Sequence, residues 1–136
     1  MASVKATSPT VLVVDDDRTL LSALESVLGT MGYRVRTTAD AEAAYALLGA
    51  TPVDAVLLDI HMPTMSGLAL YLAMVHRWPE LEGRIALMSG DPDSAEVRPW
   101  LATHPCVVFR KPFRGELVAG WLSAALAKRR SKARAG

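Results

Sequence analysis

The stretch VLVVDDD, residues 11–17, decides the class of fold, and VDAVLLD, residues 53–59, repeats its design of a Val- and Leu-rich run that ends in aspartate. A run that is apolar at nearly every residue, rather than at alternate ones, is typical of a strand buried on both faces, as in a parallel sheet. Two more runs of this kind follow, IALMS at 85–89 and CVVF at 106–109. The sequence therefore predicts a mainly parallel sheet covered by helices.

The segments between these runs carry apolar residues at helical spacing. Leu21, Leu24 and Leu28 lie on one stripe of a first helix, and a third helix is predicted over residues 66–78. A short β-rich stretch at 34–38 adds a further strand. Strands and helices thus alternate five times, which requires crossover connections and places helices on both faces of the sheet.

Length and composition fit one globular domain. The chain has 136 residues, of which 51 % are hydrophobic and 21 % charged, which excludes disorder of the whole chain. No apolar run approaches the roughly 18 residues of a membrane span, and the first ten residues lack the apolar core of a signal peptide. The single cysteine, Cys106, excludes an internal disulfide and a cysteine-based zinc cluster, and it is compatible with a reducing cytoplasm.

The charge is unevenly distributed. Five of the 15 basic residues lie in KRRSKARAG, residues 128–136, which leaves ten against 14 acidic residues for the rest, a charge of −4. This acidic body argues against a nucleic-acid groove on the domain. We expect a flexible lead-in over 1–9, one domain over 10–127 and a disordered basic tail over 128–136.

Charged and hydroxyl side chains follow the predicted strands. Ligands of open α/β sheets bind beyond the carboxyl ends of the strands, and these ends carry the residues Asp15, Asp16, Asp17, Asp59, Ser89 and Lys111. Adjacent aspartates repel one another, so a cation is the simplest partner for them, and hard carboxylate oxygens suit Mg²⁺. A carboxylate can also act as a nucleophile toward phosphorus, with lysine and serine supporting the phosphoryl oxygens.

These residues carry a family resemblance. VLVVDDD, LLDIHMPTMSG, LMSG and FRKPF, in this order and at these intervals, resemble the receiver domain of two-component response regulators over about residues 10–127. The string from Asp59 to Gly67 is the most specific element. The resemblance implies a flavodoxin-like α/β fold, a doubly wound five-stranded parallel sheet of order 2-1-3-4-5 with five helices.

The resemblance also assigns roles. Asp59 would be the phosphoacceptor, Lys111 would contact the phosphoryl group, and Ser89 would be the hydroxyl that moves toward it. Mg²⁺ would be held by the carboxylates of Asp15, Asp16 and Asp59 and the backbone carbonyl of His61. The Lys111–Pro112 peptide bond would be cis.

The implied function is a phosphorylation-controlled switch and not an enzyme in the ordinary sense, although such a domain contributes to its own phosphorylation and slow dephosphorylation. The phosphodonor would be a phosphohistidine on a sensor histidine kinase or a histidine phosphotransfer protein. We expect a stand-alone receiver in the cytoplasm, with a downstream protein target bound by the fourth helix, fifth strand and fifth helix, and no direct binding of DNA.

Two positions depart from the family pattern. Receivers often carry an aromatic residue three positions before the lysine, where this chain has Val108, and Phe109 would face the other side of the sheet. Pro99 lies in the predicted fourth helix and should break or shorten it.

Two other functions fit part of the sequence. Asp15 to Thr19 matches D-x-D-x-T, which resembles the nucleophile motif of haloacid-dehalogenase-type phosphatases, with Asp15 as nucleophile and Asp17 as general acid. That family needs a late acidic pair, and only Glu116 follows Lys111. The third hypothesis is a receiver-like adaptor that binds partners without being phosphorylated.

Overall fold

The central strands of the sheet are buried on both faces. The computed structural model describes residues 8–135, with side chains described through residue 127. The five strands are β1 Thr10–Val14, β2 Arg34–Thr38, β3 Ala55–Asp59, β4 Ile85–Ser89 and β5 Val108–Arg110. All residues of β3 and β4 are buried, as are the last four of β1. Their continuous apolar runs therefore reflect a two-sided core.

All strand pairs are parallel, in the order β2-β1-β3-β4-β5. This order confirms the predicted flavodoxin-like sheet. Because β1 and β3 are neighbours, with Val14 opposite Leu58, the residues that follow them emerge side by side. The winding reverses between these two strands, which opens a crevice beyond their carboxyl ends.

Five α-helices cover the sheet within the described residues, as predicted. They are α1 Arg18–Thr30, α2 Ala41–Ala50, α3 Gly67–Arg77, α4 Val97–Thr103 and α5 Gly115–Ala135, with a 3₁₀ turn at Pro79–Leu81. One face of the sheet packs against α1 and α5, and the other packs against α2, α3 and α4. None of the helices in the described part of the chain combines the length and hydropathy of a membrane-crossing segment.

Some element bounds differ from the sequence prediction. The predicted 53–59 strand begins at Ala55, and the predicted 106–109 strand is shifted to Val108–Arg110. Pro105 has no N–H to donate, and β4 first reaches this strand through a hydrogen bond from the Leu87 N–H to the Val107 carbonyl. The edge strand β5 therefore begins at Val108, where its hydrogen bonds with β4 begin.

The fourth helix is short, in keeping with its proline. It has seven residues, and Pro99 is the third of them. A proline is tolerated in the first turn of a helix because the N–H groups there have no partner within the helix.

The predicted domain boundaries lie near the two ends of the chain, at residues 9/10 and 127/128. Residues 1–7 of the predicted lead-in lie outside the described residues. Helix α5 continues past residue 127 to Ala135, so the predicted boundary does not coincide with a helix end. The side chains of 128–135, and residue 136, lie outside the described residues, and the disorder of the tail stays a prediction.

The two neighbouring residues of β5 face opposite sides of the sheet, as expected. Phe109 is buried in the α1/α5 layer, where its ring lies 5.5 Å from that of Phe113 and 6.2 Å from that of Trp121. Val108 packs in the α2/α3/α4 layer. The aromatic side chain of this strand therefore lies on the side away from α4.

Candidate functional site

Three carboxylates lie together at the carboxyl edge of the sheet. Asp15 follows β1 and is fully buried, Asp59 ends β3 and is 3 % exposed, and Asp16 is exposed. One oxygen from each lies within 4.8 Å of the others. The fold thus brings together residues that are more than 40 positions apart in the sequence, because β1 and β3 are neighbours in the sheet.

The third aspartate of the DDD run has a different task. The Asp17 carboxylate accepts hydrogen bonds from the N–H groups of Thr19 and Leu20, at 3.0 and 3.2 Å, and so caps α1. The backbone N–H of Asp17 donates a hydrogen bond to Asp15 Oδ1 at 2.9 Å, which fixes the orientation of the buried Asp15 carboxylate. The phosphatase hypothesis needs Asp17 as a proton donor, whereas here its carboxylate is engaged by the start of the helix.

Lys111 is the cation of the cluster. Its Nζ lies 2.6 Å from Asp15 Oδ2 and 3.3 Å from Asp59 Oδ1. Burial alone lowers the pKa of the Lys111 ammonium, but its hydrogen bonds to the two carboxylates and their charges outweigh burial, so the net shift is upward. The Lys111–Pro112 bond is cis, as expected.

The environment of Asp59 disfavours its charged form. Burial is the largest cause that raises the pKa of Asp59, and the nearby charge of Asp15 raises it further. The charge and hydrogen bond of Lys111 and a hydrogen bond from the His61 N–H, 3.3 Å from Asp59 Oδ1, oppose this shift without cancelling it. A further positive charge at the cluster would therefore favour the ionised carboxylate.

Ser89 and His61 lie at the same edge but make other contacts. Ser89 is fully buried at the end of β4, and its hydroxyl oxygen accepts a hydrogen bond from the Asp91 N–H at 3.0 Å. The His61 side chain is exposed and meets the cluster through its backbone N–H. His76 and His104 are not among the metal-ligating groups found in the described residues.

The loop after Asp59 is held by a close backbone contact. The Gly67 N–H donates to the Ile60 carbonyl at 2.8 Å, and a Cβ on Gly67 would lie 2.1 Å from the Asp59 carbonyl oxygen. Only a glycine allows the start of α3 to approach the end of β3 so closely. This contact gives a physical reason for the glycine in the Asp59–Gly67 string.

An open pocket adjoins the exposed side of the carboxylates. It has a volume of about 400 Å³, and Asp16 and His61 line it together with Glu96, which lies just before α4. Sequence analysis missed Glu96, because no local motif marks it and its place depends on how α4 packs. Of the three carboxylates, Asp16 is the one that lines this pocket.

The chain is thus an α/β domain with a flavodoxin-like sheet, which carries three carboxylates and a lysine at its carboxyl edge. Residues 11–119 match the response regulator receiver domain family, and this match covers more than half of the chain. The chain therefore belongs to the receiver domains of two-component response regulators.

Relatives and solved structures agree with this assignment. The two-component response regulator ARR2 of Arabidopsis thaliana is 38 % identical over 125 residues, which are 90 % of this chain and 18 % of that protein. The transcriptional regulatory protein PrrA of Mycobacterium tuberculosis is 41 % identical over 68 residues, which are 50 % of this chain and 29 % of that protein. The chain thus spans less than a third of the length of these two relatives.

The fold is shared with solved receiver domains. A CheY-like receiver domain protein from Methanospirillum hungatei superposes with a TM-score of 0.83 at 21 % identity, over 93 % of this chain and 99 % of that chain. The signal receiver domain of an HD domain-containing protein from Pseudomonas fluorescens gives a TM-score of 0.82 at 26 % identity, over 98 % of this chain and 97 % of that one.

Proposed function

We propose that Asp59 accepts a phosphoryl group from a phosphohistidine of a partner protein in a reaction that requires Mg²⁺. The observation that carries the proposal is the place of the Asp59 carboxylate, with Asp15 and Asp16 on one side and the Lys111 ammonium 3.3 Å away. Asp59 is the last residue of the central strand β3, so the sheet fixes its position. A rigidly held nucleophile flanked by cations suits phosphoryl transfer, in which the protein mainly positions groups and stabilises charge.

The donor set suits Mg²⁺. When all four groups are ionised, the three carboxylates and one ammonium have a net charge of −2, which one Mg²⁺ ion would neutralise. Mg²⁺ also favours carboxylate oxygen ligands. We propose that the carboxylates of Asp15, Asp16 and Asp59 and the backbone carbonyl of His61 hold it. Bound there, the ion would offset the negative charge of the carboxylates and of the incoming phosphoryl oxygens.

The chain's own groups then have defined tasks. An Asp59 carboxylate oxygen forms the new O–P bond as the P–N bond to the donor imidazole breaks, and the imidazole nitrogen keeps the electron pair and takes up a proton. The Lys111 Nζ, already beside Asp59 Oδ1, would bind a phosphoryl oxygen. The Ser89 hydroxyl would leave the Asp91 N–H and donate to another phosphoryl oxygen.

We propose a sensor histidine kinase or a histidine phosphotransfer protein as the donor, in the cytoplasm, and a protein as the downstream target. The α4–β5–α5 face would bind this target. Leu117 of α5 is 60 % exposed, and Val107, directly before β5, is 42 % exposed. The acidic body of the chain does not suit direct binding of DNA.

The test is intact mass after incubation with acetyl phosphate, with and without Mg²⁺. We expect one phosphoryl adduct on the wild type with Mg²⁺, and none on Asp59→Asn. Asp40→Asn is the matched control, because Asp40 is not a member of the carboxylate cluster, and asparagine caps a helix as well as the aspartate that caps α2. A wild type without an adduct would favour the adaptor hypothesis, and an adduct on Asp59→Asn would refute the assignment of the phosphoacceptor.

A further inference from the structure

An ion pair joins the loop after β4 to the end of β5. Arg110 Nη2 lies 2.5 Å from Asp93 Oδ2, and both side chains are more than half exposed. We propose that this ion pair, which we call the latch, holds residues 90–96 against the edge strand. It thereby controls how often the Ser89 hydroxyl loses its hydrogen bond from the Asp91 N–H. The latch itself is independent of the proposed function, and only its effect on phosphorylation rests on that function.

The register of the sheet places the latch beside Ser89. Ser89 and Arg110 are partners across the β4–β5 ladder, and the Lys111 N–H donates to the Ser89 carbonyl at 2.8 Å. Alternation along β5 sends the Arg110 side chain to the same face of the sheet as Val108, which packs in the α2/α3/α4 layer. Residues 90–96 lead into α4 on that face.

The Ser89 hydroxyl is held by the same loop. Its oxygen accepts from the Asp91 N–H at 3.0 Å, two residues before the acidic member of the ion pair. This hydrogen bond breaks when the Ser89 side chain rotates or when the backbone at Asp91 moves away. A tether at Asp93 opposes such a movement.

Few other bonds restrain this loop. The Ser94 N–H reaches the Asp91 carbonyl at 3.3 Å, and the Ser94 hydroxyl accepts from the Val97 N–H at 3.2 Å. Apart from the ion pair, the hydrogen bonds of the loop that are found among the described residues stay within 89–98. The ion pair is thus the polar contact that connects the loop to another strand.

The size and salt dependence of the effect follow from the exposure of the pair. An exposed ion pair changes a local equilibrium by roughly twofold to fivefold, and salt screens it. The latch should therefore modulate the rate of phosphorylation without being required for it, and its effect should become smaller near 1 M salt, where the Debye length is about 3 Å.

The first experiment measures the latch without any phosphodonor. We expect amide exchange at Asp91, followed by NMR at low salt, to be roughly twofold to fivefold faster in Asp93→Asn and in Arg110→Gln than in the wild type. The double variant Asp93→Arg/Arg110→Asp should restore the slow rate. Arg98→Gln is the matched control, since this exposed arginine of α4 makes no ion pair with a described residue. Unchanged exchange in the single variants, or no restoration in the reversed pair, would overturn the latch.

The second experiment follows phosphorylation by acetyl phosphate with Mg²⁺ in the same proteins. The single variants should react roughly twofold to fivefold faster than the wild type at low salt, and this difference should become smaller at 1 M salt. Faster exchange with an unchanged reaction rate would refute control of the chemistry by the latch. A wild type that is not phosphorylated at all would instead refute the proposed function, and the exchange data would still decide the latch.

Discussion

Replacing Gly67 by alanine tests the close contact between the start of α3 and the end of β3. The new methyl carbon would lie 2.1 Å from the Asp59 carbonyl oxygen, 2.7 Å from the Ile60 Cα and 2.8 Å from the Asp59 carbonyl carbon. All three are backbone atoms of a buried strand end, so no flexible side chain can turn aside. The helix must move away from the strand by about 1 Å, since non-bonded carbon atoms pack at roughly 3.5–4 Å.

The cost of this movement can be estimated from its parts. Overpacking of a well-packed region costs about 1–3 kcal/mol. The movement also strains the 2.8 Å hydrogen bond from the Gly67 N–H to the Ile60 carbonyl, and loss of a buried hydrogen bond costs about 1–3 kcal/mol. We therefore expect Gly67→Ala to lower the free energy of unfolding by about 2–6 kcal/mol, and the melting temperature by on the order of 10 °C.

The control is Gly120→Ala, inside α5. A Cβ there meets nothing within 4 Å, and the residue is exposed. Alanine should raise stability by about 1 kcal/mol through helix propensity alone. Urea and thermal unfolding, followed by circular dichroism, give both values. A Gly67→Ala protein that unfolds at the same urea concentration as the wild type would refute the claim that this contact requires glycine.

Further predictions concern the cluster, the cap of α1 and the thiol. Lys111→Ala should keep Mg²⁺ binding in a calorimetric titration, because the carboxylates remain, and should slow phosphorylation at least about tenfold; loss of Mg²⁺ binding would contradict the role given to Lys111. Asp17→Ala should cost about 1 kcal/mol in urea unfolding, and Asp17→Asn almost nothing, because asparagine also caps. Partial burial raises the pKa of the Cys106 thiol to about 11, two units above its ordinary 9.0, so at pH 7 iodoacetamide should react roughly 100-fold more slowly with the folded than with the urea-unfolded protein; equal rates would show that the fold does not protect the thiol.

The fold and most of the cluster could be predicted because both depend on short local patterns. An apolar run that ends in aspartate indicates a buried strand and also the edge at which its last residue emerges. Alternation along a strand was enough to place Val108 and Phe109 on opposite faces, as the two core layers confirm. Asp59 and Asp15 could therefore be assigned to one edge before any distance was known.

What could not be predicted depends on contacts between distant segments. The DDD run does not reveal that Asp17 belongs to the helix cap while its neighbours face the crevice, because this depends on where α1 begins. The ion pair between Asp93 and Arg110 and the place of Glu96 depend on the path of the loop before α4, which no motif encodes. The bounds of β5 likewise depend on where β4 lies beside it.

The salt bridges of Lys111 have a consequence for synthesis of the chain. Its carboxylate partners precede it by 96 and 52 residues, and it follows the last strand of the sheet. As the chain leaves the ribosome, β1 and β3 emerge before Lys111, so Asp15 and Asp59 can come together before their lysine partner is available. During that interval the acidic pair lacks the ammonium group that contacts it in the finished fold, so cations from the surrounding solution can take part in neutralising it.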